Sequence, residues 1–269
     1  MTVSSYLNDL AEKLIIRDSE KDSISRSFHA LESRLSNYFG NDIGLVRKFG
    51  SYHRETILPR DYDFNSDVDV LVEFTDKSYK PQTYLNKLKR FAEYWYSRSE
   101  IYQSSPTIVL ELNHIKFELV PCLEAEWYEG GNYKIPSKAS DYQEWLLTSP
   151  FEFNDELTRK NKVFDYKIKP LIRILKRWNV NTRYLKIYDS FKLEEKIVNH
   201  SFSCLNSSLK DYFFDFVTNM NGFDLQYQYQ QEEVEKFVNK IKEIQHYEKE
   251  YPNWAESELR KFFDLQSLG

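Results

Sequence analysis

The chain has 269 residues, a formal net charge of −5, 41% hydrophobic residues and 16% aromatic residues. That is enough for one bilobal protein or two small domains with a true core, and the net acidity excludes a general nucleic-acid binder. No apolar run approaches membrane-spanning length and the N-terminus is polar rather than signal-like, so the expectation is a cytoplasmic protein with no membrane partner and no obligatory nucleic acid.

Residues 3–16 carry Tyr6, Leu7, Leu10, Leu14 and Ile15 at helical spacing. Asp18-Ser19 interrupts, and a second helix follows with Ile24, Phe28, Leu31, Leu35 and Phe39 on one face and Gly40 as its stop. Residues 43–49 read as a strand entering a Gly50-Ser51 turn, and 67–74 as a second strand. Residues 81–98 form an amphipathic helix with Tyr84, Leu88, Phe91 and Trp95 on one side. Residues 107–112 and 115–120 flank Asn113-His114, a hairpin signal that Pro121 should end. Residues 128–140, with Gly130-Gly131 and Pro136, read as loop. A long helical pattern covers 153–178, kinked or split by Pro170. Further helices are expected at 189–199, 203–219, 230–248 and 254–264. Cys122 and Cys204 are far apart and read as buried free thiols, and the five histidines lack zinc-ligand spacing.

Two features carry chemistry. Gly50-Ser51 offers a tight turn with free backbone N–H groups, suited to phosphate. Asp67 and Asp69 sit on alternate positions of a strand and so point to one face, suited to a divalent cation. The other pair, Asp61 and Asp63, follows Pro59-Arg60 and reads as loop. Together the turn and the strand pair suggest metal-dependent nucleotidyl transfer from a triphosphate. Two cations need a third carboxylate, and Glu111 and Glu118 on the hairpin are the candidates. From Leu157 to Tyr188 ten residues are basic and only Asp165 is acidic, a local excess that could face phosphates. Asp189 or Ser190 caps a helix whose N-terminus could bind phosphate, with Phe191 beside it to stack on a base.

These residues resemble a family. Phe49-Gly50-Ser51-Tyr52-x-Arg54-x-Thr56, then Asp67-Val68-Asp69-Val70-Leu71, and Phe117-Glu118-Leu119-Val120-Pro121 resemble the bacterial cyclic-oligonucleotide synthases called CD-NTases, within which the chain looks most like the CdnE-like group. Ile135-Pro136, Trp145-x-x-Thr148-x-Pro150, Asn161, Leu175-Lys176-Arg177-Trp178-Asn179 and Ser190-Phe191-x-Leu193-Glu194 resemble the segments that follow.

The resemblance implies an α+β, bilobal, polymerase-β-like nucleotidyltransferase. It would have a small mixed sheet, long N-terminal and spine helices, and a C-terminal helical lobe. Residues 1–40 would be N-terminal helices packing on both lobes, 41–150 the nucleotidyltransferase core and 151–269 the helical lobe. Asp67, Asp69 and Glu118 would be the catalytic, metal-holding carboxylates for two Mg²⁺ ions, with Mn²⁺ as the alternative. Gly50, Ser51, Lys176, Ser190 and Phe191 would bind nucleotide, with Arg54 and Asn161 in support. A monomer would join nucleoside triphosphates into a cyclic dinucleotide or oligonucleotide, c-di-GMP among the candidates. The product would carry an anti-phage signal to a downstream effector such as a STING-type receptor. Two competing readings are a nucleotidyltransferase acting on a tRNA, small-molecule or protein acceptor, and an inactive nucleotide-binding module.

Overall fold

The structure is a computed structural model that describes residues 2–126, 128–130, 132–181, 186–203 and 207–264. In chain order, helices α1 (Val3–Lys13) and α2 (Asp18–Phe39) lead into strand β1 (Ile43–Lys48), the short helix α3 (Gly50–His53) and strand β2 (Asp67–Phe74). Helix α4 (Pro81–Trp95) precedes β3 (Glu100–Ser104), β4 (Thr107–Glu111), β5 (Lys116–Glu124), β6 (Tyr133–Pro136) and β7 (Trp145–Thr148). The described elements after β7 are helices: α5 (Glu152–Val163), α6 (Ile168–Val180), α7 (Ser190–Asn199), α8 (Leu209–Thr218), α9 (Gln228–Tyr247) and α10 (Pro252–Arg260). The class is α+β, and no helix among the described residues is long and apolar enough to cross a membrane.

Two compact units interleave along the chain. One comprises residues 16–57 and 65–155, the other 1–15, 58–64 and 156–269. These units do not run as the three consecutive segments that the resemblance implies. The boundary near the N-terminus falls at 15/16 rather than at 40/41, and a short stretch at 58–64 joins the helical unit. The reason lies in the two N-terminal helices: α1 packs with α6, α8 and α10, whereas α2 packs with α4 and β1.

In the sheet unit the strand order is β1-β2-β5-β4-β3, with β6 and β7 continuing from the end of β5. Among the described residues only β2 and β5 run parallel; the other pairings are antiparallel, so the sheet is mixed. Alternation in β2 sends Val68, Val70, Val72 and Phe74 to one face, where they are buried with Phe117 and Leu119 of β5. Helices α2 and α4 cover that face with Ile24, Phe28, Leu31 and Leu35 and with Tyr84, Leu88 and Phe91, while Trp95 at the end of α4 stays 38% exposed. The opposite face carries Asp67, Asp69 and Leu71 of β2 and Lys116, Glu118, Val120 and Cys122 of β5. Its small apolar patch, Leu71, Val120 and Cys122, lies under Phe49, Tyr133, Ile135 and Phe151. Burial pushes the Cys122 thiol well up, as expected of an inert core cysteine. Cys204, Arg183 and Gly131 lie outside the described residues.

Pro121 does not end its strand. β5 continues to Glu124, with Pro121 in register beside Val72. Pairing with β4 stops at Leu119, so on that side the missing N–H of Pro121 breaks no ladder bond. Residues 128–140 are not all loop either, because Tyr133–Pro136 pairs with both β5 and Trp145–Thr148. The long helix at 153–178 does split, but ahead of Pro170. Asp165 and Tyr166 take φ of 50° and 60°, and Pro170 sits in the first turn of α6, where its absent N–H has no helical partner to lose.

The helical unit is centred on α6, whose Ile168, Leu171, Ile172, Leu175 and Trp178 are buried. Trp178 stacks on Phe237 of α9 with ring centres 4.3 Å apart. Arg177 is a structural cation. Its Nε donates to the Phe263 carbonyl at 2.9 Å, Nη1 to the Tyr62 carbonyl at 3.0 Å and Nη2 to Asn181 Oδ1 at 2.8 Å.

Candidate active site

The parallel pairing of β2 with β5 builds the site. Its register sets Asp69 beside Glu118 and Asp67 beside Lys116, so all four side chains leave the same face in adjacent rows. Glu118 is half-buried, and its carboxyl pKa is raised to about 7. Burial is the main cause and the neighbouring Asp67 carboxylate, which hydrogen-bonds it, is the second; Lys116 and the Thr107 hydroxyl oppose them. Thr107 Oγ1 donates to Glu118 Oε2 at 3.3 Å. Glu111, the other candidate third carboxylate, is engaged elsewhere. It accepts from the Tyr102 hydroxyl at 3.1 Å and lies 3.8 Å from Lys116.

The turn before β2 meets the same face. The Phe49 N–H donates to the Asp69 carbonyl at 3.0 Å, which pins the end of β1 to the strand of carboxylates. Gly50 follows with φ of 65°, and its α-carbon faces the Asp69 carboxylate. The Ser51 carbonyl accepts from the N–H groups of Thr56 and Ile57 and closes the turn. Arg54 is buried, and its guanidinium lies over the Phe153 ring at 5.4 Å.

Among the described residues no group of three or more His, Cys, Asp or Glu side chains is already spaced to hold a metal ion. The fit to a cation rests on the donor set. Glu118 of β5 stands beside Asp69 and is hydrogen-bonded by Asp67, both of β2, so three carboxylates, all hard oxygen donors, share one partly buried face. Burial first, and the adjacent Asp67 carboxylate second, disfavour an ionised Glu118, and a cation beside the carboxylates would offset both.

The loop pair is placed as read: Asp61 and Asp63 lie off the sheet in the 58–64 stretch, and Asp63 is 3.7 Å from Lys186. Asn161, Lys176, Ser190 and Phe191 belong to the helical unit. Asn161 Oδ1 accepts from the Lys169 N–H at 3.0 Å and fastens the corner between α5 and α6. Lys176 is buried and its ammonium is 3.2 Å from Glu194, itself fully buried. Asp189, rather than Ser190, caps α7, accepting from the N–H groups of Phe191 at 2.9 Å and Lys192 at 3.2 Å. A phosphate at that helix end would meet a carboxylate already in place; the Ser190 hydroxyl and the 41% exposed Phe191 ring remain as its candidate contacts. Of the basic stretch, Arg173, Lys176 and Arg177 are buried and Lys160 binds the carbonyls of Val198 and His200, so these four are not a solvent-facing wall.

Residues 1–161 match the Second Messenger Oligonucleotide or Dinucleotide Synthetase domain. The chain belongs to that family. It is a bacterial CD-NTase and therefore a nucleotidyltransferase. A probable cyclic nucleotide synthase of Bacillus cereus (strain VD146) is 26% identical over 248 residues, covering 74% of this chain and 71% of that protein. Among solved structures, Vibrio cholerae DncV, a cyclic AMP-GMP synthase in complex with a linear intermediate, has the same fold at a TM-score of 0.79 and 10% identity. The likeness covers 96% of this chain and 94% of DncV. A STING-associated CdnE c-di-GMP synthase from Capnocytophaga granulosa aligns at a TM-score of 0.66 and 15% identity, over 94% of this chain and 85% of that one. Likeness to DncV stands beside likeness to CdnE, so the fold alone does not select a subgroup of the CD-NTases.

Two neighbours of Glu118 in this candidate site, Lys116 and Thr107, do not stand out in the sequence as site residues. Lys116 could have been found by alternation, since it stands two positions before Glu118 on the same strand face. Thr107 could not, because it reaches Glu118 only through the register of β4 on β5.

Proposed function

We propose that this CD-NTase joins nucleoside triphosphates into a cyclic dinucleotide or oligonucleotide and releases pyrophosphate. The observation that carries the reading is the in-register pair Asp69 and Glu118 beside the Gly50 turn, with Asp67 close enough to raise Glu118. Asp67, Asp69 and Glu118 would hold two Mg²⁺ ions, or Mn²⁺ in their place. When bound, these ions supply charge neutralisation at the α-phosphorus and a more acidic acceptor hydroxyl. The Gly50 N–H and Ser51 orient the β- and γ-phosphates. Thr107 and Lys116 hold Glu118 in place and temper the local negative charge. The chain's own contribution is positioning and electrostatics rather than covalent chemistry.

Assignment of Lys176 and Ser190 to the triphosphate, and of Phe191 to the base, rests on the family resemblance. The same resemblance supports c-di-GMP as the first product to test, and a cytoplasmic, monomeric enzyme signalling to a STING-type effector in anti-phage defence. The deciding experiment is incubation with the four NTPs and Mg²⁺ alone, followed by mass spectrometry after phosphatase treatment. A phosphatase-resistant product made without added acceptor supports cyclisation. Turnover only when a tRNA, small molecule or protein acceptor is supplied would replace this reading with the alternative.

A further inference from the structure

Asn154 is 9% exposed, and neither its amide nitrogen nor its amide oxygen has a hydrogen-bond partner among the described residues. Buried polar groups are nearly always satisfied, so a carboxamide with both ends unmet in the first turn of a well-formed helix needs a reason. It belongs to the sheet unit that carries the carboxylates.

Helix geometry gives its place. Phe151 accepts the first helical bond of α5, from the Asn154 N–H at 3.1 Å. At about 100° per residue, Asn154 falls in the arc between Phe153 and Phe151. Both flanking rings meet the chain just past the Gly-Ser turn: Phe153 lies under the Arg54 guanidinium at 5.4 Å, and Phe151 meets the His53 ring edge-on at 6.0 Å. The helix surface on either side of Asn154 thus lies against the Arg54 and His53 side chains of the segment that begins at Gly50, whose α-carbon faces Asp69.

Resting on the nucleotidyltransferase reading, we propose that Asn154 contacts the bound nucleotide. Its carboxamide offers one acceptor and a pair of donor hydrogens, which matches a nucleobase edge or a ribose diol, each presenting a donor beside an acceptor. The paired hydrogen bonds would satisfy both amide atoms at once. An apolar side chain of the same size could fill the position in the free protein but could not replace the contact.

The test compares wild type, Asn154→Leu and Asn154→Asp by thermal melting and steady-state kinetics, using ATP, GTP, CTP, UTP and their 2′-deoxy and 3′-deoxy analogues. For Asn154→Leu the expected result is an unchanged or higher melting temperature without nucleotide, loss of the nucleotide-induced rise, and a KM at least about tenfold higher for one or more NTPs. Asn154→Asp, which keeps the shape and loses the donors, should change the order of preference among NTPs. It also stands in should the leucine variant fail to fold. A defect confined to certain bases places the amide on the base edge. A defect common to all four bases, and absent with one deoxy analogue, places it on the ribose. Both variants keeping wild-type KM and nucleotide response would overturn the proposal while leaving the enzyme reading intact. A wild type with neither nucleotide response nor turnover would overturn both.

Discussion

The Asp69 carboxylate occupies the space where a side chain on Gly50 would begin: a Cβ there would stand 1.8 Å from Asp69 Oδ2. Gly50 also holds φ of 65°, a conformation that strains an L-residue by roughly 1–2 kcal/mol. Turn and carboxylate are therefore built as one piece, joined again by the Phe49 N–H on the Asp69 carbonyl. Gly50→Ala must displace the Asp69 carboxylate as well as strain the turn. Turnover should fall by about 100-fold or more, as small misplacements of reacting groups do, and the melting temperature by a few degrees. Pyrophosphate release measured alongside a melt checks both; wild-type turnover in Gly50→Ala would show that the close approach has no functional weight.

Removing the strand carboxylates tests the chemistry directly. Asp67→Ala combined with Asp69→Ala leaves the Val68, Val70 and Val72 face untouched, so the sheet should persist. It also relieves the repulsion that raises Glu118. The expected outcome is loss of pyrophosphate release to background with a metal-free melting temperature equal to or above wild type. Retained activity in a folded double variant would remove these residues from the reaction.

Much of this site was readable because strand alternation is strict. Asp67 and Asp69 open a β-branched run, and Glu118 sits between Phe117 and Leu119, so each carboxylate had to leave the face opposite the core. What local pattern does not contain is partner choice. That β5 lies parallel to β2, and so sets Glu118 beside Asp69, depends on which strands meet across the sheet. The same gap explains β6 and β7: two four-residue strands amid Gly, Pro and Ser have too little periodicity to stand out, and they exist because the far end of β5 offers an edge. Lys176 shows the converse. Its spacing puts it on a helix rich in cations, but only the placement of α7 reveals that Glu194 is buried against it.

Glu118 makes metal affinity depend on pH. Its folded pKa, about 7, lies above the ordinary value of 4.5. In the metal-free protein the folded state thus holds an extra proton, and stability should decline as pH rises from about 5 to 8. A divalent cation reverses the trend, because it competes with that proton. Between pH 6 and pH 8 the ionised fraction of such a group goes from about a tenth to about nine tenths. The Mg²⁺-induced rise in melting temperature should therefore be larger at pH 8 than at pH 6, and Glu118→Gln should flatten both pH trends. Equal Mg²⁺ effects at the two pH values in wild type would separate Glu118 from the cation site.

The ion pair of Lys176 and Glu194 separates an architectural role from a substrate role. Both side chains are almost fully buried, 6% and 1% exposed, with the ammonium 3.2 Å from the carboxylate. Removing one member of a buried pair weakens the hold on the charge that stays and costs up to about 3–5 kcal/mol, whereas replacing both partners with apolar groups of similar volume is often neutral. Lys176→Met should therefore lower the melting temperature strongly, and Lys176→Met with Glu194→Leu should regain most of the loss. Kinetics on the double variant then give the second answer. A KM for NTPs within about threefold of wild type, a factor worth well under 1 kcal/mol, makes the lysine a brace between α6 and α7. A rise of tenfold or more at restored stability assigns its ammonium to the triphosphate as well, because stability no longer accounts for the loss. Equal melting temperatures for wild type and Lys176→Met would contradict the buried pairing itself.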